Sequence, residues 1–257
     1  MQIGIDKGVQ MRFVEYGKNN RSVILLLHGG GMGTWNYRKE AELLKEKYHI
    51  VIPVLDGHNG SDRDFTTIED NAGEIIAYID ENYEGHVLLI GGLSLGGQIL
   101  VEMLSQRKDI CKFAIIESAR VLPMGAMSAL IKPVFSLCYP LVKKHWFAKL
   151  QFDTYHIEDE YFDEYYCDSA AISKENMIAF LMANSNYKIK NELHESYTKV
   201  LVFAGGKEAN VMRQSAKIIH RELPNAIMEI MPDFYHGDLS FNHFELYVNK
   251  MFSLMAD

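Results

Sequence analysis

The chain has 257 residues, 48% of them hydrophobic and 23% charged, which is the balance of a soluble globular protein with one large domain or two small ones. Its 34 acidic and 26 basic residues give a formal charge of −8, so it has no general electrostatic attraction to nucleic acid or to an anionic membrane. Cys111, Cys138 and Cys167 form no CxxC pair. We therefore expect these cysteines to be small buried side chains in a reducing compartment, and not to form disulfides or a zinc site.

Neither the N-terminus nor the most apolar stretch of this sequence predicts a membrane anchor. Asp6 lies where a signal peptide would carry its apolar core. The most apolar long stretch, residues 124–142, is interrupted by Lys132, Pro133 and Pro140 and is more typical of a helical flap than of a membrane span. We therefore expect a cytoplasmic protein with no stable membrane insertion.

Short apolar runs recur along the chain, and several are followed by glycine-rich turns and then by a helical pattern. Continuous rather than alternating runs predict strands covered on both faces, hence a mainly parallel sheet flanked by helices. Residues 9–16 alternate instead, and we expect them to pair with residues 2–5 as an antiparallel edge hairpin. The other predicted strands are 23–27, 50–55, 87–90, 113–116, 200–204 and 227–231, and the predicted helices are 40–47, 68–82, 97–106, 211–221 and 241–255.

The alternation of strands and helices stops between Arg120 and about residue 197, where the sequence becomes helical, aromatic and rich in methionine. A block of this length between two strands is too long for a simple crossover. We expect a cap over the carboxyl edge of the sheet, where ligands bind in open α/β sheets. The predicted fold is thus α/β, with residues 1–119 and 198–257 as the core and residues 120–197 as an inserted helical cap.

The strongest local signal for chemistry is Gly-x-Ser-x-Gly at Gly92, Ser94 and Gly96, between a predicted strand and a predicted helix. A serine in so sharp a turn needs neighbours without side chains, because the backbone passes too close to tolerate a Cβ. The turn lifts the hydroxyl clear of the sheet at a helix N-terminus, which favours developing negative charge. Ser94 is therefore the candidate nucleophile.

A second glycine-rich loop, His28-Gly29-Gly30-Gly31, follows the predicted strand 23–27, and a Gly57-His58-Asn59-Gly60 turn follows the next strand. Together with the serine turn, these motifs make the chain resemble the α/β-hydrolase family over essentially its whole length apart from the cap. In that family the residue after the His-Gly pair and the residue after the nucleophile donate two backbone N–H groups to the oxyanion, which here implies Gly30 and Leu95. Asn59 stands where many relatives have a glycine. Because asparagine is the non-glycine residue that best tolerates a positive φ, we expect the turn to be kept. We also expect His58 to be structural.

A serine hydroxyl is a weak nucleophile, so a base must take its proton and a carboxylate must orient that base. The family order of serine, acid and histidine implies His236, which follows the last predicted strand, as the base. His243 falls within the predicted terminal helix, where packing is the expected role. Glu208, after strand 200–204, occupies the usual position of an aspartate and is the expected acid, with Glu117 at the end of strand 113–116 as the alternative.

Other chemistries do not fit the spacing of the motifs. The sequence has no HExxH, GxxxxGK or strand-linked GxGxxG, so no metal or cofactor is implied. Serine at position 94 argues against the branches of the family that attack through an aspartate. We therefore predict a serine hydrolase that acts on a small apolar ester or thioester. We expect no nucleic-acid partner, and the sequence does not indicate an oligomeric state. The resemblance leaves C–C bond, lactone or aminopeptidase chemistry and a non-catalytic ligand receptor as alternatives.

Overall fold

The computed structural model describes residues 11–256. Strands and helices alternate up to β5, helices alone follow as far as β6, and the alternation then resumes. The strands are β1 Arg12–Tyr16, β2 Val23–Leu27, β3 His49–Val54, β4 Val87–Leu93, β5 Cys111–Glu117, β6 Lys199–Gly205 and β7 Ala226–Met231. The α-helices are α1 Arg38–Leu44, α2 Ile68–Asn82, α3 Leu95–Gln106, α4 Ile131–Val142, α5 His145–Asp153, α6 Phe162–Ala171, α7 Lys174–Asn186, α8 Asn210–Glu222, α9 Asp238–Phe241 and α10 Phe244–Ala256, with 3₁₀ turns at Thr34–Tyr37, Gly125–Leu130, Asp159–Tyr161 and Asn191–Glu195.

The seven strands form one sheet in the order β1-β3-β2-β4-β5-β6-β7. Among the strands of residues 11–256 only β1 runs antiparallel, with Arg12 opposite Val54 and Tyr16 opposite Ile50 of β3, while every other pair is parallel. The prediction of a mainly parallel α/β sheet is confirmed. The predicted pairing of residues 9–16 with residues 2–5 lies outside the described residues.

Burial on both faces explains the continuous apolar runs. Every residue of β2 is buried, and alternate side chains enter two different cores. One core joins the sheet to α2, α3 and α8, and the other joins it to α1 and α10. In a strand covered on both sides, an apolar side chain at any position is buried and stabilises the fold. The sequence of such a strand therefore does not alternate between apolar and polar residues.

Residues 118–198, between β5 and β6, contain helices and loops, and we call this segment the helical insertion. Its contacts with the rest of the chain include an ion pair between Arg38 and Glu164 and a hydrogen bond that the Asn184 side-chain amide donates to Oε1 of Gln98 at 2.9 Å. The contact at Gln98 ties the insertion to α3, the helix that follows the serine turn. The exact division into core and cap stays a prediction.

Three local expectations were wrong. β4 continues through Gly91 and Gly92, which were expected to form the turn, because the sheet ladder to β5 extends as far as Leu93. The predicted helix 241–255 begins only at Phe244, and His243 lies outside it, stacked on Phe234 at 4.5 Å between ring centres. Of the three free cysteines, Cys111 is buried, but Cys138 is half-buried and Cys167 is exposed on the outer face of α6.

Candidate active site

Ser94 occupies the turn between β4 and α3 with φ 54° and ψ −109°, a backbone conformation that costs free energy in a residue with a Cβ. Its amide donates to the Glu117 carbonyl at 2.9 Å, which fixes the turn to β5. A Cβ on Gly96 would overlap the carbonyl of Leu27, and one on Gly92 would overlap the carbonyl of Gly96. The two glycines therefore allow the backbones of the strand, the turn and the helix to approach this closely.

His236 and Glu208 lie side by side although they are in loops that follow different strands. The Nδ1 atom of His236 is 2.8 Å from Oε2 of Glu208, whose side chain is fully buried. Because an ionised carboxylate only accepts hydrogen bonds, Nδ1 carries the proton and Nε2 is left as the basic nitrogen. This is the pairing needed to orient an imidazole for proton transfer.

The other oxygen of Glu208, Oε1, accepts hydrogen bonds from the hydroxyl of Ser118 at 2.7 Å and from the amide of Gly205 at 2.6 Å. Arg213 donates to the carbonyls of Gly206, at 2.7 Å, and Glu208, which fixes the loop that carries the carboxylate. The sequence interpretation missed Ser118 and Arg213. Ser118 lies two residues after the end of the predicted strand 113–116, so its place at the carboxyl edge of the sheet was the available signal.

Glu117 takes a different position from Glu208. Its buried Oε1 accepts from the amides of Leu239 and Ser240, at 3.0 and 3.3 Å, in the first turn of α9. Burial raises the pKa of this carboxyl to about 7. Glu117 thus anchors the helix that follows His236, whereas the carboxylate that accepts the hydrogen bond of the imidazole is that of Glu208.

Two buried histidines hold the glycine loop after β2. His58 Nε2 accepts from the amide of Gly31 at 3.0 Å, and His28 Nε2 accepts from the amide of Leu55 at 3.3 Å. Burial lowers the pKa of His28 to about 3 and that of His58 to about 4, so both rings are neutral acceptors at physiological pH. His58 therefore has the structural contact that its position in the sequence suggested.

Gly30 and Leu95, the residues implied as the two oxyanion donors, lie close together. A Cβ on Gly30 would lie 3.4 Å from the Cβ of Leu95, so the two backbones are in close contact. Within residues 11–256 neither amide donates a hydrogen bond to another group of the protein. An unpaired backbone N–H group can donate to a ligand, and an oxyanion is such a ligand.

Ser94 and His236 line the same cavity of about 250 Å³. Its walls come from the glycine loop, from the serine turn and from the helical insertion, and they are mainly apolar. The other lining residues are Gly29, Gly30, Met32, Leu93, Arg120, Tyr155, Phe180, Leu181, Asn184 and Met212. In the described part of the chain no hydrogen bond joins Ser94 to His236, a contact that commonly tightens only when substrate is bound.

No group of three or more His, Cys, Asp or Glu side chains among residues 11–256 is placed to hold a metal ion. The cavity brings together the Ser94 hydroxyl and the His236 imidazole with its carboxylate partner. That set of groups suits nucleophilic attack on an acyl carbon.

Comparison with known proteins agrees with this architecture. Residues 24–233 match the model of a family described as the alpha/beta hydrolase family. An uncharacterized hydrolase of Bacillus subtilis, YugF, is 21% identical over 235 residues, which cover 86% of this chain and 85% of that protein.

Solved structures with the same fold have low sequence identity to this chain. A bromoperoxidase from Bacillus anthracis is 14% identical with a TM-score of 0.81, over 96% of this chain and 95% of that one. An enol-lactonase from Burkholderia xenovorans is 14% identical with a TM-score of 0.78, over 96% of both chains. A thermophilic esterase from Thermogutta terrifontis is 16% identical with a TM-score of 0.75, over 95% of this chain and 93% of that one.

Proposed function

This chain belongs to the alpha/beta hydrolase family, and from that premise we propose that it is a serine hydrolase that cleaves a carboxylic ester or thioester. The observation that carries the proposal is the 2.8 Å contact between His236 Nδ1 and Glu208 Oε2, with His236 lining one cavity together with Ser94. An idle serine in a glycine-rich turn would need no imidazole in the same cavity, and an idle imidazole would need no buried carboxylate.

In the proposed reaction His236 Nε2 takes the proton of the Ser94 hydroxyl as its oxygen attacks the acyl carbon. The negative charge that forms on the carbonyl oxygen is stabilised by the amides of Gly30 and Leu95. His236, now protonated and stabilised by Glu208, gives its proton to the leaving alcohol or thiol. Water, activated by the same imidazole, then releases the acid from Ser94.

The substrate has an apolar part of modest size. The cavity volume of about 250 Å³ is small, and Phe180, Leu181 and Met212 provide apolar walls. An ester with a compact acyl group therefore suits this site better than a bulky one.

The first experiment measures hydrolysis of p-nitrophenyl esters, from acetyl to dodecanoyl, by the wild-type protein and by Ser94→Ala. We expect turnover by the wild type, a maximum rate at short acyl chains, and a loss of roughly 10⁴-fold or more in kcat for the variant. Labelling with a fluorophosphonate, which reacts with an activated serine, should modify the wild type and leave Ser94→Ala unmodified.

A Ser94→Ala protein that keeps near-normal activity would show that the serine is not the nucleophile. Tight binding of an ester with neither turnover nor labelling would favour the non-catalytic receptor instead. Ser105→Ala, which removes a hydroxyl from the far end of α3, is the control for unspecific effects of losing a serine.

A further inference from the structure

A row of large apolar side chains is exposed on the outer face of the helical insertion. Met127, Leu130, Val134, Leu137 and Leu141 follow one another at spacings of three and four residues, which places them on one side of the helix. The row continues onto the exposed Trp146 and Leu150 of α5. We call these seven residues the docking stripe. Leu137 at its centre is 81% exposed.

The opposite face of the same helix is held firmly in place. Val142 is buried, and the hydroxyl of Tyr139 donates to the carbonyl of Ile172 at 2.7 Å. Phe135, Tyr139 and Phe147 pack against one of the two cores. Because one face is anchored, the exposed apolar face belongs to the folded protein and is presented outward.

The charge of this region is opposite to that of the whole chain. Residues 118–152 contain four lysines and one arginine but no aspartate or glutamate, in a protein whose formal charge is −8. Lys132, Lys143 and Lys144 are exposed beside the docking stripe. None of these three forms an ion pair with a carboxylate in the part of the chain that is described.

An exposed row of large apolar side chains is typical of an interaction site, since leaving apolar surface in water is unfavourable. A second copy of the chain would cover the apolar side chains, but it would bring two sets of lysines together. An anionic lipid surface satisfies both features, because acyl chains receive the apolar side chains and headgroups attract the lysines.

We propose that the docking stripe binds the surface of an anionic lipid bilayer, with the helix lying in the plane of the interface. The segment Gly125–Val142 is long and apolar enough to cross a membrane by length and composition. However, its buried face is fixed to the protein through Tyr139 and Val142, so the helix lies on the bilayer rather than across it. Trp146, on the following helix α5, has the amphipathic ring that favours the headgroup region.

Docking at a bilayer also specifies the class of substrate, and this step rests on the proposed hydrolysis. α4 packs against α7, and α7 carries Phe180, Leu181 and Asn184 into the cavity of Ser94. The surface that touches lipid is thus one helix away from the site of reaction. An ester that partitions into the lipid phase would be presented at that surface at high local concentration.

The experiment is flotation of the full chain with vesicles of phosphatidylcholine, with and without phosphatidylglycerol. We expect binding to the anionic vesicles, weakened by salt and weak to phosphatidylcholine alone. Leu137→Asp should lower the partition coefficient at least tenfold, because it places a charge where an apolar side chain enters the bilayer. Leu43→Asp is the matched control, since Leu43 is exposed on α1 outside the stripe.

Two further measurements test the orientation and the charge. The chain has two tryptophans, and Trp35 is buried while Trp146 is 62% exposed, so a blue shift of emission on vesicle binding reports on Trp146. The shift should disappear in Trp146→Phe. The double variant Lys143→Glu, Lys144→Glu should lose more than tenfold in affinity for the anionic vesicles.

The outcomes separate this proposal from the proposed hydrolysis. Ser94→Ala should bind vesicles as the wild type does, and Leu137→Asp should hydrolyse soluble p-nitrophenyl acetate at the wild-type rate. No binding to anionic vesicles, or equal binding by Leu137→Asp, overturns the docking even if the esterase activity stands. A dimer in light scattering that Leu137→Asp converts to a monomer would show that a second copy covers the stripe, which also overturns it.

Discussion

The hydroxyl of Ser118 donates a hydrogen bond to Oε1 of Glu208 at 2.7 Å, across 90 residues of sequence. The contact forms because β5 and β6 are neighbours in the sheet, so that the residues after their carboxyl ends meet. It occupies one carboxylate oxygen and directs the other to His236. Ser118 itself has φ 53°, a backbone conformation that is unfavourable for a serine without such a contact.

Ser118→Gly should lower kcat for a p-nitrophenyl ester about tenfold while leaving KM nearly unchanged. A hydrogen bond to a charged group contributes about 1.5–3 kcal/mol, and its loss lets the Glu208 carboxylate rotate away from the imidazole. Glycine is chosen because it accepts the positive φ that alanine would resist. Steady-state kinetics of this variant beside Ser105→Ala, which removes a helical serine far from the cavity, give the comparison. Equal kcat in both variants would mean that Ser118 does not position the acid.

Glu208→Gln should reduce kcat by roughly 10³–10⁴-fold, since an amide cannot stabilise the imidazolium that forms when Ser94 loses its proton. Glu117→Gln should keep activity within about tenfold of wild type at neutral pH. Its amide oxygen can still accept from Leu239 and Ser240. Activity of the two variants, each checked for folding by circular dichroism, decides between the two carboxylates. A collapse of turnover in Glu117→Gln alone would assign the acid to β5 instead.

The sequence predicted the part of the site that is formed by residues close together in the chain. Gly92, Ser94 and Gly96 are within five residues, so a strand, a turn and a helix could be recognised from their order alone. Ser118 and Arg213 escaped notice because their contacts depend on which strands are adjacent, and strand order cannot be read from single apolar runs. Glu117 ends β5 and Glu208 follows β6, and only the sheet geometry shows which one lies beside His236.

The sequence predicted the fold class, and the errors of that prediction lie at the ends of strands and helices. The strand 23–27 is reproduced residue for residue, because an uninterrupted apolar run ends at a glycine-rich loop. β4 is longer than predicted because Gly91 faces the hydroxyl of Tyr247 and has no room for a Cβ, so that glycine serves packing and not a turn. The break at His243 depends on tertiary contacts, since its ring stacks on Phe234.

Stability should fall as the pH rises through the range in which Glu117 titrates. Burial raises the pKa of this carboxyl from 4.5 to about 7, so the folded chain keeps a proton that the unfolded chain releases. The stabilisation is therefore complete below pH 4.5, falls between pH 4.5 and 7, and is lost above that, a change of about 3 kcal/mol. Urea unfolding of the wild type and of Glu117→Gln at several pH values measures it.

Other buried groups face Glu117, and the comparison with Glu117→Gln is what isolates it. Burial also raises the pKa of Glu40, Tyr37 and Tyr247, and Glu208 and His236 lie near the same carboxyl. These groups are present in both proteins, so their contributions cancel in the difference. We expect the wild type to lose stability relative to Glu117→Gln between pH 5 and 7. A difference that does not change with pH would show that Glu117 is ionised in the folded protein throughout.

Two glycine-to-alanine substitutions should have opposite effects on stability. In Gly96→Ala the new Cβ overlaps the carbonyl of Leu27, which is backbone and cannot move aside, so we expect a loss of about 3 kcal/mol or more and no esterase activity. In Gly73→Ala the Cβ meets no heavy atom within 4 Å, and alanine is the better helix former within α2. That variant should gain about 0.5–1 kcal/mol with unchanged activity. Thermal unfolding of both variants tests the pair: if Gly96→Ala is as stable as Gly73→Ala, the serine turn is not fixed by the close approach of β2, and the strained φ of Ser94 needs another cause.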